Sequence, residues 1–181
     1  VGANVDYDAT ALFTTGHGNL ITSAGLSVGK LQTGRLSMRD QTAYNESLEV
    51  LGEFNEPKFL LIPGDLQGIA DRLTNGASNY YAAIASSTDT DQALDPTLFK
   101  GRLQVIVVDI WTDANDWILV ADPMQVNTLV MGFLNGREEP ELFVQDNPTT
   151  GSVFTADKIS YKIRHIYGGD ILDHRSFLLA Q

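Results

Sequence analysis

The sequence predicts a mixed α+β fold in which a sheet is flanked by helices and a β-hairpin stands apart from it. Three observations predict this. Residues 57–75, PKFLLIPGDLQGIADRLTN, read as a strand running directly into a helix. The runs LQVIVV at 103–108, enriched in β-branched residues, and WILVA at 117–121 read as further strands. The stretch 159–167, ISYKIRHIY, alternates, which is the pattern of a half-exposed strand.

Taken in order, residues 1–26 are rich in Gly, Thr, Ser and Asn and predict an irregular lead-in held down by Phe13 and Leu20. Ser27 is placed to cap a helix reaching about residue 41. Val28, Leu31 and Met38 share a face of it, Gly29 and Gly34 weaken it, and Arg35, Arg39 and Asp40 are expected toward solvent. Residues 43–56 read as a connector with a short strand near 48–51. In the strand–helix unit, Phe59, Leu60, Leu61 and Ile62 predict a strand covered on both faces. Pro63 and Gly64 break it, Asp65 is expected to cap the helix, and Leu66, Ile69, Ala70 and Leu73 fall on one helical face. Asn75-Gly76 is the stop.

Residues 77–100 form a long polar connection, of the kind that is usually functional or mobile, and 85–95 are expected to be mobile or packed only against a neighbour. The strand at 117–121 is expected to pair back on 103–108 as a hairpin. Another strand follows at 128–134, closed by Asn135-Gly136. Residues 140–167 predict a long hairpin leaving the main body, with a turn at Asn147-Pro148. Gly168-Gly169 permits a change of direction, and 177–179 is a final apolar strand rejoining the sheet.

Composition narrows the function classes. The chain has 181 residues, no cysteine and a formal charge of −11. Without cysteine there are no disulfides, thiolate metal sites or cysteine nucleophiles. The acidic balance argues against nucleic-acid or anionic-membrane binding through the overall field. No apolar run approaches the length of a membrane span, and the first residues do not form a signal peptide. The chain lacks an initiator Met, so it can begin inside a longer product.

The candidate chemical motifs resolve to bland readings. Asp89, Asp91 and Asp95 begin like a calcium loop, but the glycine is missing and Lys100 stands where the bidentate Glu belongs. Asp109, Asp113 and Asp116 beside Trp111 read as turn residues rather than an acid–base pair. Asp170, Asp173, His174 and Arg175 are the densest ionisable cluster and read as a hydrogen-bonded structural group at an interface. His17 and His165 read as structural, and the Asn45-Glu46-Ser47 sequon has no secreted context. No phosphate-binding, nucleophile-elbow or zinc-protease motif occurs, so no enzyme activity, cofactor or metal is expected.

One resemblance gathers these segments. ALFTTGHGNL (11–20), GLSVGKLQTGRLSMRDQ (25–41), EPKFLLIPGDLQGIADRL (56–73), LFKGRLQVIVV (98–108), WILVADP (117–123), TLVMGFLNGREEPELFVQ (128–145) and YKIRHIYGGDILDHRSFLLA (161–180) follow in order over nearly the whole chain. Together they resemble the C-terminal part of a tailed-phage major capsid protein of the Hong Kong 97-like fold, nearest the Mu-like and prohead-protease-fused subunits. The resemblance implies an axial domain over 1–136, peripheral-domain strands over 137–168 and a return strand over 169–181. It also implies that the N-terminal arm, extended loop and spine helix are absent from these residues, so that the isolated chain is mostly monomeric or weakly oligomeric. The implied role is a structural subunit of a bacteriophage or prophage head, made in the host cytoplasm and residing in the virion. Its partners would be copies of itself, with scaffold, portal or decoration proteins, and packaged DNA only indirectly. Candidate interface residues are Tyr80, Asp89, Asp91, Arg137, Arg164, Asp173 and Arg175. The alternatives are an encapsulin-like compartment subunit and a small α/β ligand-binding or hydrolase-like domain using the 170–175 cluster.

Overall fold

The computed structural model describes residues 4–5, 8–22, 25–44, 48–75 and 98–181. The chain divides into two compact units, residues 1–128 with 171–181, and residues 129–170.

The first unit is built on a five-stranded mixed sheet. Its strands are β1 (Leu20–Ile21), β2 (Pro57–Ile62), β3 (Gln104–Val107), β4 (Trp117–Ala121) and β9 (Phe177–Ala180), in the order β1-β9-β4-β2-β3. Two helices belong to it, α1 (Val28–Arg39) and α2 (Gln67–Asn75). The Ser27 side chain accepts the Lys30 N–H, so α1 starts where its cap predicts. Val28, Leu31 and Met38 are buried with the sheet residues Leu60, Ile62, Trp117, Leu119, Leu178 and Ala180 in one core, to which α2 adds Ala70 and Leu73.

Gly34 is a packing position as well as a weak helix former. A Cβ there would lie 3.0 Å from Leu119 Cδ1 and 3.2 Å from Leu178 Cδ2. Gly34→Val is therefore expected to destabilise the fold by about 2 kcal/mol through overpacking, read as a lower urea midpoint. A variant as stable as the parent would show that α1 can move off the sheet freely.

Several expectations change. The strand β4 does not form a hairpin with β3; it pairs antiparallel with both β2 and β9. β3 runs parallel to β2 and occupies its other side, where it is an edge strand. β4 is thus central, and Trp117, Leu119 and Ala121 are buried on it. β2 is not fully covered on both faces: Leu60 and Ile62 are buried, whereas Phe59 and Leu61 are half-buried. Among the described residues both helices pack on the first face. The second face is covered near Phe177, where Phe13 meets it edge-on at 6.5 Å.

Asp65 does not cap α2. It sits inside a 3₁₀ turn, Gly64–Leu66, that precedes the helix and has no side-chain cap bond. Ile69 is exposed: the buried stripe is Leu66, Ala70 and Leu73, and Ile69 stands at its edge. The short strand expected at 48–51 reduces to one bridge, Thr42 with Val50, followed by a 3₁₀ turn at Gly52–Asn55. Arg35 and Arg39 are not simply solvated, since both hydrogen-bond to Glu56. Burial raises the Glu56 carboxyl, but the hydrogen bonds from Arg35 and Arg39 outweigh it and hold the group below its ordinary range.

The second unit holds β5 (Leu129–Phe133), β6 (Glu141–Gln145), α3 (Gly151–Ala156), β7 (Ser160–Arg164) and most of β8 (Tyr167–Ile171). β5 pairs with β8, and β6 with β7. β5 is therefore not a buried strand of the main sheet, and this unit begins at Leu129, eight residues before Arg137. Asn135 (φ 56°) and Gly136 (φ 68°) make the turn after β5, using left-handed geometry that favours these two residues.

The predicted hairpin survives as β6 and β7, but its connection contains α3, which the turn reading missed. Asn147 Oδ1 accepts the Thr149 N–H in the predicted turn. The alternating run at 159–167 splits into β7 and β8. Gly168 and Gly169 lie within β8 rather than at a pivot. Gly169 fits a close approach, because a Cβ there would lie 3.3 Å from the Val130 carbonyl.

Candidate assembly surface

The β6–β7 ribbon is amphipathic by register. Leu142 pairs with Ile163 and Val144 with Tyr161, so four apolar side chains occupy one face. They are 48–72 % exposed. The opposite face carries Phe143, with the Lys162 ammonium 5.9 Å and the Arg164 guanidinium 5.2 Å from its ring centre. A two-stranded ribbon is marginal in water by itself, and a continuous exposed apolar face is the usual mark of a contact surface.

Glu141 organises the polar side of this ribbon. Arg164 Nη2 reaches Glu141 Oε2 at 2.6 Å, and Arg137 pairs with Glu141 Oε1. The two arginines expected at an interface therefore meet on one carboxylate. With Leu134, Asn135, Glu139, His165 and Ile166 they line a small cleft of about 80 Å³.

The first unit offers a different surface. On the less covered face of the sheet, Phe13, Ile110, Trp111, Ile118 and Leu179 line a groove of about 310 Å³, with Asp113 and Asp116 at its rim. Burial, with the charge of Asp113, raises the Asp116 carboxyl above its ordinary range. The aspartates read as turn residues from sequence thus lie beside an apolar groove.

Asp173 and Arg175 pair with each other. Arg175 Nη1 donates to both Asp173 carboxylate oxygens at 2.8 and 2.9 Å, and its Nε donates to the Thr42 carbonyl at 2.7 Å. The guanidinium also lies 5.9 Å from the centre of the Tyr44 ring. This hydrogen bonding ties the loop before β9 to the segment after α1. Tyr80, Asp89 and Asp91 lie outside the described residues, as do the expected mobile stretch at 85–95 and the 45–47 sequon.

Sequence reasoning missed the partners of His17 and His174. Their rings stack at 3.8 Å with 8° between planes, and His17 Nε2 lies 2.8 Å from Asp8 Oδ2. Burial, followed by the charges of His17 and Arg175, lowers the His174 pKa to about 4. The only local signal was the GHGN turn, because 157 residues separate the two rings. No described helix is long and apolar enough to cross a membrane.

No curated protein and no solved structure matches the chain. A family model described as phage capsid protein matches residues 1–180. An all-but-complete match, on a mixed sheet-and-helix chain that displays an exposed apolar ribbon, places this protein in that family: it belongs to the phage capsid proteins.

Proposed function

We propose that the chain is a shell-building subunit of the Hong Kong 97-like type, with the first unit as its axial domain and the second as its peripheral domain. The observation that carries this reading is the exposed ribbon face of Leu142, Val144, Tyr161 and Ile163 in a chain of the phage capsid family. A monomer has no use for such a face, whereas a shell covers it with a neighbouring copy. Heterologous contacts of this kind repeat around rings and close into a capsid. Arg137, Arg164 and Glu141 would set the register of the contact at its polar edge, since rim charges select partners more than they add affinity. The groove beside Trp111 would serve as a second contact surface. Scaffold, portal or decoration proteins would meet the finished shell rather than the single subunit.

Electron microscopy of phage heads assembled in the host cell from subunits carrying both Leu142→Asp and Ile163→Asp tests the reading. Both positions tolerate a polar residue in the monomer, because they are exposed. The expected result is a loss of closed particles with unchanged far-UV circular dichroism. Particles at parental yield would show that the ribbon face is not a subunit contact.

A further inference from the structure

We propose that the stacked pair His17–His174, with Asp8, is a proton-gated clasp that holds the 8–19 lead-in against the loop before β9 and lets it go on acidification, while the sheet stays folded. The geometry begins at His17. Its Nδ1 lies 3.2 Å from the Leu12 carbonyl and its Nε2 lies 2.8 Å from Asp8 Oδ2. Both neighbours are acceptors, and a neutral ring donates to one of them, as its tautomer sets. The turn that carries it is fastened at further points. Its backbone N–H donates to Thr14 Oγ1, and its carbonyl accepts from Gln41 Nε2. Gly18, at φ 65°, lets the chain turn back, and Asn19 then donates to the carbonyls of Leu12 and His174.

His174 is the other half. It is buried beneath the His17 ring in parallel stacking. The charged groups that face it are Asp8 and His17 from the lead-in, and Asp173 and Arg175 from its own loop. Asp173 is already engaged by the Arg175 guanidinium. A proton arriving on His174 would set a buried imidazolium against the His17 ring with the Arg175 guanidinium nearby, offset only in part by Asp173 Oδ1, which lies 3.8 Å from His174 Nδ1 and is shared with Arg175. Separation of the rings relieves that repulsion and hydrates both.

A metal site is a poorer account of the same three residues, although their ligand atoms lie within 4.8 Å of one another. Parallel rings aim their nitrogen lone pairs along parallel planes, not at one point. Asp8 Oδ2 and His17 Nε2, 2.8 Å apart, already serve each other as hydrogen-bond partners.

The sign follows from the two states of His174. In the closed clasp its pKa is lowered to about 4, and in the open one it returns toward 6.5. The open state binds more protons between these values. The clasp is thus fully held above pH 6.5 and is lost as the pH falls toward 4. For a single proton, the opening constant rises roughly 25-fold between pH 7.5 and pH 5.0. The lower limit stays above the sequence pI of about 4.5, where solubility would fail.

Hydrogen–deuterium exchange at these two pH values, corrected for the intrinsic rate, is the test. The expected result is a rise of that order across 8–19, with 57–62 and 117–121 still protected. His174→Phe keeps an aromatic ring but cannot take the proton, and should flatten the response. A variant that responds as the parent does, or a parent whose sheet loses protection together with the lead-in, would overturn the clasp. NMR titration of the parent gives a second reading that does not depend on the variant folding. A His174 midpoint well below 6.5 supports the clasp, and one at or above 6.5 refutes it. Increased protection of 8–19 by added zinc at pH 7.5 would make the cluster a metal site and also overturn the proposal.

Discussion

Trp117→Ala is expected to lower the unfolding free energy by about 3–5 kcal/mol, the range for truncating a large buried aromatic. Trp117 is 0 % exposed and lies on β4, the middle strand of five. Its cross-strand partner is Ala180, and its ring edge would lie 3.7 Å from a Cβ at Gly34. The cavity left behind could be filled only if α1 moved toward the sheet. That movement is blocked on either side, because Leu119 and Leu178 already meet the helix at Gly34. A small domain is stable by about 5–15 kcal/mol, so the variant should unfold at far lower urea with an unchanged slope. A loss below about 1 kcal/mol would mean that the core closes over the gap. The centre of the unit would then lie elsewhere.

The second large effect is expected at a polar residue. Asn55 is fully buried in the 3₁₀ turn before β2. Its Nδ2 donates to the Met38 carbonyl at 2.6 Å and to the Arg175 carbonyl at 2.8 Å. One amide therefore satisfies the last turn of α1 and the loop that leads into β9. Asn55→Ala removes both bonds and leaves two acceptors without that donor. The expected cost is about 2–3 kcal/mol, read as the shift in urea midpoint. Asn55→Asp should cost more, because it turns a carboxylate on two carbonyls. If the aspartate variant proves the more stable, the donor role assigned to Nδ2 is wrong.

Two core features were legible because their information is local. The Ser27 cap and the Val28, Leu31 and Met38 face need only twelve residues of helix to operate. The Leu60 and Ile62 strand needs only its own apolar run. The amphipathic character of 159–167 was also legible, and Tyr161 and Ile163 do share one face with Leu142 and Val144. Ile69 shows the limit of such reasoning. Helical period placed it on the core face, but the sheet covers only the Leu66, Ala70 and Leu73 stripe and leaves Ile69 exposed at its edge. Gly168-Gly169 shows another. Two glycines were read as a pivot, yet they stay within a strand where a neighbouring backbone comes close.

The assembly candidates divide in the same way. Arg137 and Arg164 were selected as isolated charges, and only the antiparallel register of β6 and β7 brings Arg164 opposite Glu141. Asp173 and Arg175 are neighbours in sequence, so their pairing was within reach. The attachment of Arg175 to Thr42 was not, because it spans 133 residues.

Alone, the sequence determined which segments are apolar, where α1 starts, that Asn135 and Gly136 make the turn after β5, and that no cysteine chemistry is possible. Only the tertiary structure decided that β4 lies between β2 and β9, that β5 joins β8, and that His17 stacks on His174. The reason is physical. Propensity and periodicity act over a few residues and are written into neighbouring side chains. Strand order depends on which edge is still open once earlier strands have paired. A ring stack depends on two loops arriving at one place, and nothing in either loop encodes the other.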